Sequence, residues 1–102
     1  MTDISHQRKA LIERVLDGAG AAPQSGRQAA FENMGLGDPL KTFIQKVATQ
    51  ATGVTDRDIA VVLASGFTED QIFEIAICAA VGQSTRQYES ARAALDSAIS
   101  KE

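Results

Sequence analysis

The sequence predicts an all-α chain, a single domain of about five or six helices over residues 1–102. Three features carry this expectation. The chain has only two prolines, it is rich in Ala, Leu, Glu, Gln, Lys and Arg, and its apolar residues recur at helical rather than alternating spacing.

The first helix is predicted to begin near Asp3 and to carry Ile4, Arg8, Leu11, Ile12, Val15 and Leu16 as a stripe that must face something apolar. It should stop at Gly18. The stretch GAGAAPQSG, residues 18–26, reads as the one long flexible connection, and a short helix from Arg27 to Met34 follows it. Gly35, Gly37, Asp38 and Pro39 then break the chain. Asp38 is placed to cap the next helix, and Pro39 to take its first position, where a missing N–H costs nothing.

Leu40, Phe43, Ile44, Val47, Ala48 and Ala51 form one face of a three-turn helix, which Gly53 is predicted to end in a left-handed conformation. Thr55 and Asp58 approximate a capping box for the next helix, with Val54 and Ile59 as a hydrophobic staple. The same grammar recurs at Gly66, where Thr68 and Gln71 form a T-x-x-Q box bracketed by Phe67 and Ile72. Two helices therefore meet there at a tight turn.

The remainder, Glu69 to Ser100, would be roughly 48 Å long as one helix. That length predicts a break or kink, marked by Gly82 and the S-x-x-Q sequence Ser84–Gln87. Before it, Ile72, Phe73, Ile75, Ala76, Ile77, Ala79, Ala80 and Val81 are apolar around nearly the whole circumference, as in a helix central to a fold or buried between subunits. After it, Tyr88, Ala91, Leu95, Ala98 and Ile99 make a narrower stripe backed by Arg86, Arg92, Asp96 and Lys101. No internal repeat or low-complexity tract is evident.

Composition excludes several function classes. Ten Lys plus Arg against thirteen Asp plus Glu give a net charge of −3, and no dense basic run exists to bind nucleic acid through counterion release. Cys78, the only cysteine, has no partner for an internal disulfide or a dithiol centre, which fits a reducing compartment. The longest apolar run, Ile75 to Val81, is too short to span a bilayer, and MTDISHQRKALIERV contains no apolar signal core. A cytoplasmic protein without membrane partners is expected.

Glu74 interrupts the apolar helix, and a buried carboxylate must be paired, hydrogen-bonded or protonated. It is expected to pair with Arg86 or Arg92; the alternative is a proton-transfer site shared with Cys78, one helical turn later. Cys78 itself sits in surroundings that raise a thiol's pKa, so it reads as a packing residue, with a nucleophile as the alternative. His6, the single histidine, reads as a solvated helix residue. Asp56, Asp58, Glu69 and Asp70 fall in predicted first helical turns, where the helix dipole favours carboxylates, and metal binding there is the minor reading. The glycines of GAG and GLGDP lack the preceding strand and following pattern of a phosphate loop. No cofactor and no metal are expected.

The segment VTDRDIAVVLASGFTEDQIFEIAICAAVGQSTRQYESARAAL, Val54 to Leu95, resembles the alkylhydroperoxidase D-like and carboxymuconolactone decarboxylase family, the likeness extending over residues 40–95. It is carried by a turn of the type A-x-x-G-[FLV]-[ST]-x-[ED]-x-[IL], here Leu63, Ala64, Ser65, Gly66, Phe67, Thr68, Glu69, Asp70, Gln71 and Ile72, and by the glutamate Glu74 in the apolar helix that follows. The resemblance implies a helical protomer that assembles into homo-oligomers. Peroxidases of the family place a C-x-x-C before this turn and a histidine four residues after its second cysteine. Counted back from Gly66, those positions are Ala51, Val54 and Asp58, so the thiols and the imidazole are missing here.

A dithiol peroxidase needs its attacking thiolate as reagent, which neither Ala51 nor Val54 supplies. The first expectation is therefore a non-redox oligomeric binding or accessory module whose apolar inter-helix surfaces hold a protein partner or small ligand. The second is a decarboxylase-like enzyme using Glu74 or Asp58 as general acid or base on a small carbonyl or lactone substrate. The third is a one-cysteine peroxidase working through Cys78. Whether the chain is an enzyme at all stays open on the sequence.

Overall fold

Local signals at the helix ends set the architecture. The Thr55 hydroxyl accepts the Asp58 N–H at 3.3 Å while the Thr55 N–H donates to the Asp58 carboxylate at 2.8 Å, the reciprocal box that starts a helix. Thr68 and Gln71 repeat it at 3.0 and 3.1 Å. Between them Gly66 takes φ +112°, a conformation L side chains rarely adopt, and reverses the chain.

The computed structural model describes the backbone of residues 2–100 and the side chains of residues 6–100. Its elements are α1 (Thr2–Asp17), α2 (Gln24–Glu32), α3 (Leu40–Thr49), a 3-10 turn (Ala51–Gly53), α4 (Asp56–Ala64) and α5 (Glu69–Ser100). No strand occurs among the described residues, and the fold is the all-α, five-helix arrangement that the sequence predicts. The side chains of Ile4 and Lys101, assigned above to an apolar stripe and a polar face, lie outside the described residues.

Several boundaries differ from expectation. Helix α2 begins at Gln24 rather than Arg27, because Pro23 sits at its N-cap and its carbonyl accepts the Arg27 N–H at 3.1 Å. It ends at Glu32 rather than Met34, where Asn33 turns left-handed (φ 53°). Pro39 occupies the N-cap of α3 rather than its first helical position, and the Asp38 carboxylate still caps, accepting the Thr42 N–H and hydroxyl at 3.1 and 2.6 Å. Helix α3 stops at Thr49, two residues short of Ala51. Gly53 closes a 3-10 turn instead of taking a left-handed conformation.

The largest difference is in α5, which runs unbroken through Gly82 for 32 residues. The S-x-x-Q sequence Ser84–Gln87 does not start a new helix. Ser84 and Thr85 turn their hydroxyls back onto the Val81 carbonyl at 3.0 and 2.7 Å, a bond made within a continuing helix. Gly82 serves packing instead: α2 comes so close that the Phe31 carbonyl occupies the space a Cβ would fill.

The core lies between the first half of α5 and the helices around it. Ile44, Ile75, Val62 and Cys78 are the largest fully buried side chains, joined by Leu40, Phe43, Ile72, Ala30 and Ala79. Complete burial of an Ile or Val side chain contributes about 1.5–3 kcal/mol relative to exposure, so this small set holds α5 to α3 and α4. Yet α5 is not buried all round. Phe73, on its opposite face, is 67% exposed, and Ile77 is exposed beside it.

Helix α1 lies antiparallel to α5, with Val15 near Cys78 and Arg8 near Thr85 and Tyr88. Beyond this pairing, which reaches Arg92, residues 93–100 are exposed on all sides, roughly 12 Å of helix that projects from the body. The radius of gyration, 15.5 Å, exceeds the about 13 Å of a compact chain of this size, as the 55 × 28 × 22 Å envelope requires.

Two glycines give tests of this account. Gly82→Ala raises intrinsic helix propensity by about 1 kcal/mol. It is nonetheless expected to destabilise, because the new Cβ meets backbone and overpacking of that kind costs about 1–3 kcal/mol. Gly66→Val is expected to destabilise through its left-handed φ by about 1–2 kcal/mol. Urea unfolding midpoints measure both, and a more stable Gly82→Ala protein would refute the close approach of α2 to α5.

Candidate functional site

Helix α1 ends facing the interior, which leaves its last carbonyls without helical partners. Arg27, on α2, reaches back to them. Its Nη1 donates to the Gly18 carbonyl at 2.6 Å and to the Val15 carbonyl at 3.3 Å, and the Cys78 thiol donates to the same Val15 oxygen at 3.4 Å. A cation here is also favoured by the negative end of the α1 dipole. Only 6% of Arg27 is exposed, and its Nε has no hydrogen-bond partner among the described residues.

Glu74 is held on the facing side. Its carboxylate accepts the Ala21 N–H at 2.7 Å and the Ala22 N–H at 3.4 Å, which pins the connection between α1 and α2 onto α5. Gly20 makes this wrapping possible, since a Cβ there would collide with the carboxylate. The expected pairing of Glu74 with Arg86 or Arg92 is not what the structure contains. Arg86 donates instead to the Phe31 carbonyl at 2.6 Å and to Gln83 at 3.0 Å, and Arg92 is exposed further along α5. The loop's backbone N–H groups take the place of the cation.

Between these groups lies an open cavity of about 310 Å³. Arg14, Arg27 and Glu74 supply its charged lining, and Leu11, Ile77 and Cys78 much of its apolar lining. Two of the three sequence-singled residues thus share one site. Cys78, 1% exposed, has its pKa raised first by burial, opposed by the nearby Arg27 charge and reinforced by Glu74. A neutral thiol is a poor nucleophile.

Asp58 stands apart. It lines a separate groove with Asp38, Thr42, Phe43, Lys46 and Val61, and its carboxylate pairs with Lys46 at 2.8 Å while closing the Thr55 box. The Lys46 hydrogen bond, with the Thr55 N–H next, lowers its pKa to about 2. It is an ionised structural anchor at neutral pH, with no proton to donate. His6 is exposed, and among the described residues no three His, Cys, Asp or Glu side chains converge as a metal set. Among the described residues no helix is long and apolar enough to cross a membrane.

Arg27 escaped the sequence reading, which treated it only as the start of a short helix. The signal that points to it is positional: an arginine shortly after a helix that ends in a glycine-rich turn is placed to satisfy that helix's carbonyls. The chain matches no protein-family model, no curated protein and no solved structure.

Two measurements follow from these environments. Native Cys78 is expected to react with iodoacetamide far more slowly than the unfolded chain, and labelling at equal rates would show that the thiol is not sealed. For Asp58, a pKa depressed on folding stabilises the protein above the unfolded value near 3.8 and loses that contribution as pH falls through about 2. Asp58→Asn is therefore expected to lower the urea midpoint at neutral pH, with the gap from the parent narrowing between those limits. A gap that stays constant down to the lower limit would contradict the assignment.

Proposed function

We propose that the protein is a non-redox helical binding module of the alkylhydroperoxidase D-like type, acting as a homo-oligomer assembled through the projecting end of α5. One observation carries the reading. Beyond Tyr88, which packs against Arg8 of α1, and Arg92, which shares a groove with α1, residues 93–100 form regular helix exposed on every side, and they display Leu95 and Ile99, 60% and 61% exposed, in line with Tyr88. A helix of this length in isolation is marginal in water and gains most of its stability from burying an apolar face.

A second copy of the same chain fits this face. Tyr88, Leu95 and Ile99 follow a spacing of seven and four, the seam of paired helices, and Ala91, Ala94 and Ala98 permit close approach. Arg92 and Asp96 lie one turn apart, so two antiparallel ends crossing there bring each arginine to the other copy's aspartate, with Leu95 near the two-fold axis. Such self-complementary pairing is the commonest form of oligomer contact.

A second reading, acid–base catalysis on a small carbonyl or lactone compound, draws on the Glu74 carboxylate lining a cavity without a cation bonded to it. Glu74→Gln keeps an acceptor for the Ala21 N–H, so lactone turnover lost in that variant without unfolding would favour this reading. Absence of turnover in the parent protein would remove it.

Light scattering coupled to size exclusion tests the assembly. The parent protein is expected to run as a dimer or larger at micromolar concentration, and Leu95→Asp with Ile99→Asp as a monomer of undiminished core stability. A monomeric parent protein would overturn the proposal.

A further inference from the structure

The geometry points to the cavity between α1, α2 and α5 as a binding site for a small monocarboxylate with an apolar body. This deepens the binding half of the proposed function and is independent of assembly, since every lining residue belongs to one protomer.

Arg27 carries the argument. A buried guanidinium requires a compensating anion or a full set of acceptors, and this one has neither. Its only hydrogen bonds among the described residues run through Nη1 to two carbonyls, and no carboxylate lies within ion-pair distance. Nε is buried without a partner. Glu74, the acidic side chain of the cavity, is already engaged by the Ala21 and Ala22 N–H groups.

Charge and size then select the ligand. Arg14 and Arg27 against Glu74 leave the lining with one net positive charge, which favours a single anionic group. Planar recognition of a carboxylate is the interaction to which arginine is best suited. Leu11, Val15, Ile77 and Cys78 supply an apolar wall for the remainder of the molecule. A volume near 310 Å³ corresponds to about ten water-sized units, the size of a six- to eight-carbon acid rather than acetate or a long fatty acid. Glu74 on the same lining repels a second carboxylate and so disfavours diacids.

Hexanoate and 1-hexanol, which differ in the charged head, are the probes. Titrated into the labelled parent protein and followed by amide chemical shifts, hexanoate is expected to produce saturable changes at Val15, Ala19, Ile77 and Cys78. The alcohol is expected to bind about tenfold more weakly, the loss that accompanies one charge-assisted hydrogen bond. Equal affinity for the two probes, or no saturable change with hexanoate at millimolar concentration, would overturn the inference.

Arg27→Met removes the cap on α1 and threatens folding, so the site is tested with Ile77→Trp, which fills the cavity from an exposed position. Hexanoate shifts should vanish in that folded variant, and their persistence would place binding elsewhere. Repeating the titration in the Leu95→Asp, Ile99→Asp protein separates the two proposals. Retained binding in the monomer supports a site within one protomer, whereas binding lost together with assembly refutes it.

Discussion

A helix end turned toward the interior carries carbonyls that nothing in the helix can satisfy, and this fold depends on how two such ends are answered. Arg27 supplies donors to the end of α1, and Arg86 supplies them to the Phe31 carbonyl near the end of α2. Each arginine sits on the next helix in the packing order, so that α2 caps α1 and α5 caps α2. Tertiary contact and local capping are the same bonds. That is why the connection 18–23 is ordered despite its small residues: Arg27 holds its first carbonyl and Glu74 its last N–H groups.

This arrangement explains the length of α5. It must reach Glu74 and Gln71 at one end, where the α1–α2 connection is held, and Gly82 and Arg86 at the other, where α2 ends. A break at Gly82 would separate these attachments, and the absence of a side chain there serves the approach of α2 instead. The helix then continues well beyond what the protomer needs. Residues 72–86 build the core and the exposed end beyond them builds a surface, so one element serves the fold through one half and presents apolar side chains to solvent through the other.

Signals confined to a few neighbouring residues were legible in the sequence. The Thr55–Asp58 and Thr68–Gln71 boxes and the left-handed Gly66 need only their own turn, and each forms as its spacing implies. The apolar face of α3 was equally legible, since Leu40, Phe43 and Ile44 are buried together. What misled is tertiary. Gly82 resembles a breaker until Phe31 is placed against it, and Glu74 demands a cation until a glycine-rich loop folds over it. Arg27 is marked only by its place after the glycine-rich end of α1, and the carbonyls it serves become visible once α2 folds back. The expectation that residues 72–81 are covered on every side overlooked that the short α1, α2, α3 and α4 do not enclose α5 completely, which leaves Phe73 and Ile77 outside.

The same division separates the chain's two acidic candidates. Ala51, Val54 and Asp58 lie at the junction of α3 and α4, tied up by a 3-10 turn, a hydrophobic contact with the core and the Lys46 ion pair. Glu74 lies on a cavity that shares no residue with that junction. A carboxylate locked by a lysine and a capping box contributes to stability, and changing its protonation state requires strong acid. A carboxylate bonded to the N–H groups of a glycine-containing connection, beside a guanidinium with an unused donor, can respond to what enters the space between them. The polar groups at the α3–α4 junction are therefore spent on structure, whereas the less fully paired ones lie where α1, α2 and α5 meet, and there the unmatched charge is positive.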